Sequence, residues 1–186
     1  MNRNYQFVTL LVLGLSMLVA DATAQDWTTF QSYESRFKIL TPGPLEHHLD
    51  TIPTGIGTVP YHTYYFQDPT EGAEINFFMV SHCTYPEGTV HADSTELLNE
   101  FFEATIQSAL ESVDGELIYV DSLTWRDHPS RLWRIDYLEG HYTIKTQAII
   151  ADNRYYAVQV IGPKNKAVNR SSSKFFDSLM IFEEEE

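Results

Sequence analysis

The chain has 186 residues, with 26 acidic against 12 basic side chains, a formal net charge of −14 and an acidic run at its end. A field of that sign repels nucleic-acid phosphates and anionic lipid headgroups, so nucleic-acid binding and a polybasic membrane role fall away, and residues 183–186 read as a solvated tail. Cys83 is the single cysteine, so no disulfide can form within the chain and packing alone must hold the fold.

The opening, MNRNYQFVTLLVLGLSMLVADATAQDW, combines a positive Arg3, an apolar run over 7–20 and a small-x-small site at Ala22-Thr23-Ala24. That is the anatomy of a secretory signal peptide over 1–24. The apolar run is shorter than the roughly twenty residues of a membrane span, and no cysteine follows the cleavage site to take a lipid. The expectation is an exported, soluble, periplasmic or extracellular chain with no stable membrane anchor after cleavage. Residues 25–182 then form one domain, long enough to bury a real core.

In chain order, 27–33 reads as a short helix or turn. RFKIL is a strand, stopped by Pro42-Gly43-Pro44. EHHLDTI is an edge strand with polar faces. VPYHTYYFQ and AEINFFMVSHCTY are strands joined through DPTEG, the second apolar on both parities at its centre and so covered on both faces. The period then changes. Leu97, Leu98, Phe101, Phe102, Ile106, Ala109, Leu110 and Val113 fall at helical spacing, so 93–114 is a helix with Asp93 and Glu96 as a capping pair and Gly115 as its stop. ELIYVDSLTW, SRLWRIDYL, YTIKTQAIIAD and RYYAVQVIG follow as four strands, and turns as short as RDHP, EGH and DN force antiparallel neighbours. NRSSSKFFDSLMIF closes the chain as a capped short helix with Phe175, Phe176 and Leu179 inward. The fold class is α+β: a twisted antiparallel sheet of about six to seven strands with helices on its faces, an α/β/α sandwich.

Three stretches together resemble the PsbP-like family. YESRFKILTPGPL resembles its opening strand and turn. WRDHPSRLWRIDYLEGHYTIKTQAIIADNRYYAVQVIGP resembles its paired strands, and SSKFFDSLMIF its closing helix, with Ser178 and Leu179 where Ser and Phe are common. The resemblance spans most of 30–182. It implies a PsbP-like fold and an adaptor or accessory binding module. No catalytic residues are shared across the superfamily, so none carries over.

Among the chemical constellations, Cys83 has His82 beside it and His91 nearby. Adjacent strand residues point to opposite faces, and Cys83 shares parity with Ile75, Phe77 and Met79, so it reads as a buried, inert thiol rather than a nucleophile. His47-His48 diverge on a strand, and no histidine pair stands at chelating spacing, so the histidines read as scattered surface groups and no metal or cofactor is assigned. DPTEGAE is too short for a calcium loop. Asn169-Arg170-Ser171 matches a glycosylation sequon. No nucleophile elbow or phosphate-binding glycine loop is present in the sequence.

RDHPSRLWRIDYLEG is the densest polar and aromatic stretch. On strand parity Arg131, Trp133, Ile135 and Tyr137 share one face, and Leu132, Arg134, Asp136 and Leu138 the other. Ordinary pairing puts Trp133 under a helix and Arg131 and Arg134 against carboxylates such as Asp121, Asp136 or Glu139. As a recognition surface, the candidates are Trp125, Arg126, His128, Arg131 and Arg134, since Trp and Arg dominate binding hot spots. The functional expectation is an exported, non-catalytic accessory domain that binds an unknown protein or small ligand. The alternatives are a small extracytoplasmic hydrolase and a metal-binding accessory protein.

Overall fold

A computed structural model describes residues 26–55, 57–89, 94–166 and 168–182. The expected signal peptide and acidic tail lie outside the described residues, as do His91 and Asp93. In chain order the elements are β1 (Thr28–Ser32), β2 (Phe37–Thr41), β3 (Glu46–Thr54), β4 (Gly57–Gln67), β5 (Phe77–Thr84), α1 (Thr95–Val113), β6 (Glu116–Trp125), β7 (His128–Tyr137), β8 (Tyr142–Ala151), β9 (Arg154–Pro163), α2 (Arg170–Asp177) and β10 (Met180–Ile181).

Seven strands form one antiparallel sheet in the order β3-β4-β5-β9-β8-β7-β6. The meander β6 to β9 assembles by local pairing, because its turns are too short for anything else. Arg126 and Asp127 both take positive φ, 45° and 71°, in the two-residue β6–β7 turn, whose twist matches that of the strands it joins. β9 pairs with both β5 and β8 at the middle of the sheet. Its Tyr156, Val158 and Val160 are buried on one face and Tyr155 and Ala157 on the other, as a strand covered on both sides requires. The edges are β3, guarded by Pro53, Glu46 and Asp50, and β6, which bulges between Leu117 and Tyr119.

α1 lies on the face carrying Trp133, Ile135, Ala148, Ile150, Tyr155 and Ala157, and buries Leu98, Phe102 and Ile106 there. Each such side chain stabilises by roughly 1.5–3 kcal/mol when removed from water. The helix begins after Ser94, not Asp93, and ends on Asp114, which takes the left-handed conformation (φ 48°) expected of Gly115. Gly115 matters for closeness instead: a Cβ there would clash with Ile135 Cγ2.

The opposite face departs from the expected α/β/α sandwich. It carries α2 and also a separate three-stranded sheet, β1-β2-β10. Residues 27–33, expected as helix or turn, supply β1 instead, because Phe30 and Trp27 have a core to reach: Phe30 lies 5.2 Å from Tyr64, and Trp27 meets Phe78 edge-on at 5.6 Å. Met180 and Ile181, expected within the closing helix, pair with Lys38 and Phe37. Phe37, Ile39, Phe175 and Leu179 then pack with Phe78, Val80, Tyr156 and Val158 in a second core. The sequon residue Asn169 caps α2: its side chain accepts from Ser172 N at 2.8 Å and its Nδ2 donates to Glu74 Oε2 at 3.0 Å.

Candidate ligand-binding cleft

A single helix about 10–12 Å across covers two to three strands spaced about 4.8 Å apart, and the sheet has seven. α1 sits over the β7 side. Toward β3, β4, β5 and β9 the same face stays partly open as a cleft of about 700 Å³ between the helix and the sheet. Phe101 and Ala104 form its helix wall, Tyr61, Tyr155 and Ala157 its sheet wall, and residues 52–55 at the end of β3 its rim. The register explains the convergence: Tyr155 and Ala157 on β9 share parity with Cys83 and Ser81 on β5, which pair with them directly.

The cleft's aromatic lining is self-supporting. Phe101 meets Tyr85 at 5.5 Å and Tyr155 at 5.6 Å, both edge to face. Burial pushes the Tyr85 and Tyr155 phenols above their ordinary value, with neighbouring Cys83 adding to the effect. Beneath them Cys83 is 1% exposed, and burial pushes its thiol up to about 11. None of these groups is poised to ionise at neutral pH; they hold their protons, and the Tyr85 phenol bonds Cys83. Cys83 is thus buried, as its parity implied. Trp133 also lines the cleft, 1% exposed, and its Nε1–H has no partner.

The five residues singled out in the sequence do not form one site. Trp125, Arg126 and His128 gather at the β6–β7 tip, with the Arg126 guanidinium 5.2 Å over the Trp125 ring and the His128 ring 6.2 Å from it. Arg131 lies on the α1 face, where it reaches Asn99 Oδ1 at 2.5 Å and sits 4.9 Å over the Phe102 ring. It therefore meets α1 and not the carboxylates expected across strands. Arg134 lies on the other face and pairs with Asp136 at 2.8 Å, which Lys164 also reaches at 2.8 Å. Burial alone would raise Asp136, but the bonds from Lys164, Arg134 and Thr143 outweigh it and hold the carboxyl below its ordinary value.

No protein-family model matches the sequence, and no curated protein matches it. Among solved structures, the solution structure of cyanobacterial PsbP (CyanoP) from Synechocystis sp. PCC 6803 aligns with a TM-score of 0.58 over 87% of this chain and 96% of that one, at 11% identity. The fold is PsbP-like. A Pseudomonas aeruginosa protein of unknown function aligns at a TM-score of 0.40 and 10% identity, over 75% of this chain and 85% of its own.

Within this PsbP-like fold three of the histidines are not scattered. His47, His62 and His82 line up across β3, β4 and β5 on the face opposite α1. His47 Nε2 and His62 Nδ1 are 3.1 Å apart with ring centroids at 5.3 Å, which places the two rings nearly edge to edge in one plane. His62 and His82 are parallel at 4.6 Å. His82 is 4% exposed and neither ring nitrogen has a partner. Burial, then the charges of His62, Arg154 and His47, lower it to about 3. The signal for this column was the hairpin register: His47 opposite Tyr64 puts His62 on the adjacent diagonal, and His62 pairs with His82. Among the described residues, no group of three His, Cys, Asp or Glu side chains is placed to hold a metal ion.

Proposed function

We propose that the chain is an exported, non-catalytic accessory domain that binds a small ligand in the cleft between α1 and the sheet. The observation that carries this reading is the cleft itself: about 700 Å³, walled by aromatic and small side chains, with no charged residue among the described ones that line it. Ligand sites are typically apolar concavities of this size with a few polar groups. The hydrolase alternative calls for convergent ionisable groups near neutrality, whereas burial here keeps Cys83, Tyr85 and Tyr155 protonated. No helix of the described residues is long and apolar enough to cross a membrane. Export rests on the leader-like residues 1–24.

The test uses Nile red, a neutral apolar dye. Its emission should rise saturably with one dye per protein, and Ala104→Trp, at an exposed position of the helix wall, should abolish the rise while leaving the circular dichroism spectrum unchanged. Equal binding by the filled variant would overturn the assignment. A second reading, a protein partner at the β6–β7 tip, is favoured by the Trp125 ring with Arg126 over it and His128 beside it. Arg126→Ala would weaken such a complex and leave dye binding untouched.

A further inference from the structure

We infer that the cleft takes an electrically neutral, largely apolar molecule bearing an uncharged oxygen acceptor, such as a ketone, ester or quinone carbonyl. This ligand class rests on the cleft being the binding site. Its first support is charge. The chain carries −14 overall, yet none of the described lining residues is charged. A carboxylate or ammonium entering the cleft would lose its water and find no counter-charge among the described lining residues, which is costly. A neutral molecule meets no such penalty.

The second support is the sense of the hydrogen bonds left on offer. An indole N–H only donates, and that of Trp133 is buried without a partner at the inner wall. Buried unpaired donors are rare in folded proteins and call for an explanation; a ligand oxygen supplies one. The phenols of Tyr61, Tyr85 and Tyr155 are all shifted upward, chiefly by burial, and so remain O–H groups; Tyr61 and Tyr85 already bond Ser81 and Cys83, which leaves the Tyr155 O–H as the phenol donor among the described lining residues. Three other polar side chains in the wall are already engaged. Thr105 Oγ1 donates to Phe101 O and Ser112 Oγ to Ala109 O, both at 2.8 Å, and Gln159 Nε2 donates to Thr146 Oγ1 at 3.0 Å. On the helix wall Phe101 and Ala104 face the ligand's apolar body beside the Ser108 hydroxyl, and Trp133 and Tyr155 donate from the sheet side.

The experiment is an NMR titration of the ¹⁵N-labelled protein with three ten-carbon congeners: 2-decanone, decanoate and decylammonium. The Trp133 indole N–H is assigned with Trp27→Phe and Trp125→Phe variants. The expected result is a saturable downfield shift of the Trp133 N–H with 2-decanone and at least tenfold weaker binding of both charged congeners, the cation included, although the net charge of the protein attracts it. Tyr155→Phe should weaken 2-decanone severalfold without unfolding the chain. If decanoate or decylammonium binds the cleft as tightly as 2-decanone, the neutral class is wrong and the binding reading survives. If no congener moves Trp133, Ala104 or Ala157, the cleft is not a ligand site and the proposed function falls with it.

Discussion

Replacing His82 with phenylalanine should remove a large part of the acid sensitivity of the fold. His82 stands on β5, flanked by His62 and Tyr64 of β4, Tyr156 and Arg154 of β9, and His47 of β3, and it is 4% exposed with both ring nitrogens unpartnered. An unfolded chain protonates this imidazole below its ordinary value of 6.5, whereas the folded one resists until about 3. The stability it contributes is therefore complete above 6.5, is lost as pH falls from there, and stops falling near 3. Between pH 7 and pH 4 the loss integrates to about 3 kcal/mol. Phenylalanine keeps a ring in the column and cannot be protonated. The assay is urea unfolding of both proteins at pH 7, 6, 5 and 4, followed by circular dichroism. The carboxylates, His47 and His62 are common to both, so the difference between the two stabilities isolates His82. The difference should move by about 3 kcal/mol in favour of the variant at pH 4. Parallel pH profiles would refute the reasoning, because they would mean that the imidazole is as easily protonated folded as unfolded.

Phe102→Ala removes a ring that is 1% exposed beneath α1 and should cost about 3–5 kcal/mol in urea melts, whereas Phe101→Ala, at a half-buried position, should cost less and reduce dye binding. Asp136→Asn removes the charge shared by Arg134 and Lys164 at 2.8 Å each and should cost about 1.5–3 kcal/mol at pH 7. Because the carboxyl lies below its ordinary value when folded, this contribution is held above the unfolded pKa and lost as pH falls through the folded one, so the gap between wild type and variant should close in acid. Cys83, 1% exposed with its thiol pushed up to about 11, should react with Ellman's reagent at pH 8 only after urea unfolding; rapid reaction of the native protein would contradict its burial.

The elements with a clean period were legible in the sequence. α1 followed from Leu98, Phe102 and Ile106 at helical spacing, and β6 to β9 from alternation broken by two- to four-residue turns. β1 was not legible, because TTFQS turns only one large apolar side chain inward and its partner strand β2 pairs in turn with β10, at the far end of the chain. Such pairing leaves no local pattern to read. The helix cap fell one residue from where a capping box pointed, since Ser94 precedes the first turn without a side-chain bond. Arg131 reaches Asn99 because α1 lies over β7, a placement that strand parity does not determine. The cleft was hidden for the same reason. Tyr61, Tyr85 and Tyr155 read individually as ordinary strand aromatics; only the crossing of β9 beside β5, and the narrowness of one helix over seven strands, makes them one wall.

On the proposed function, a small neutral ligand sits between α1 and the open half of the sheet. Intermolecular nuclear Overhauser effects between unlabelled 2-decanone and the ¹³C,¹⁵N-labelled protein test it most directly. Cross-peaks are expected from the ligand chain to the Ala104 and Ala157 methyls and the Phe101 ring, and from the methyl beside the carbonyl to the Trp133 indole. Cross-peaks confined to the exposed β6 residues Val120 and Leu123, or to the Trp125 tip, would contradict it.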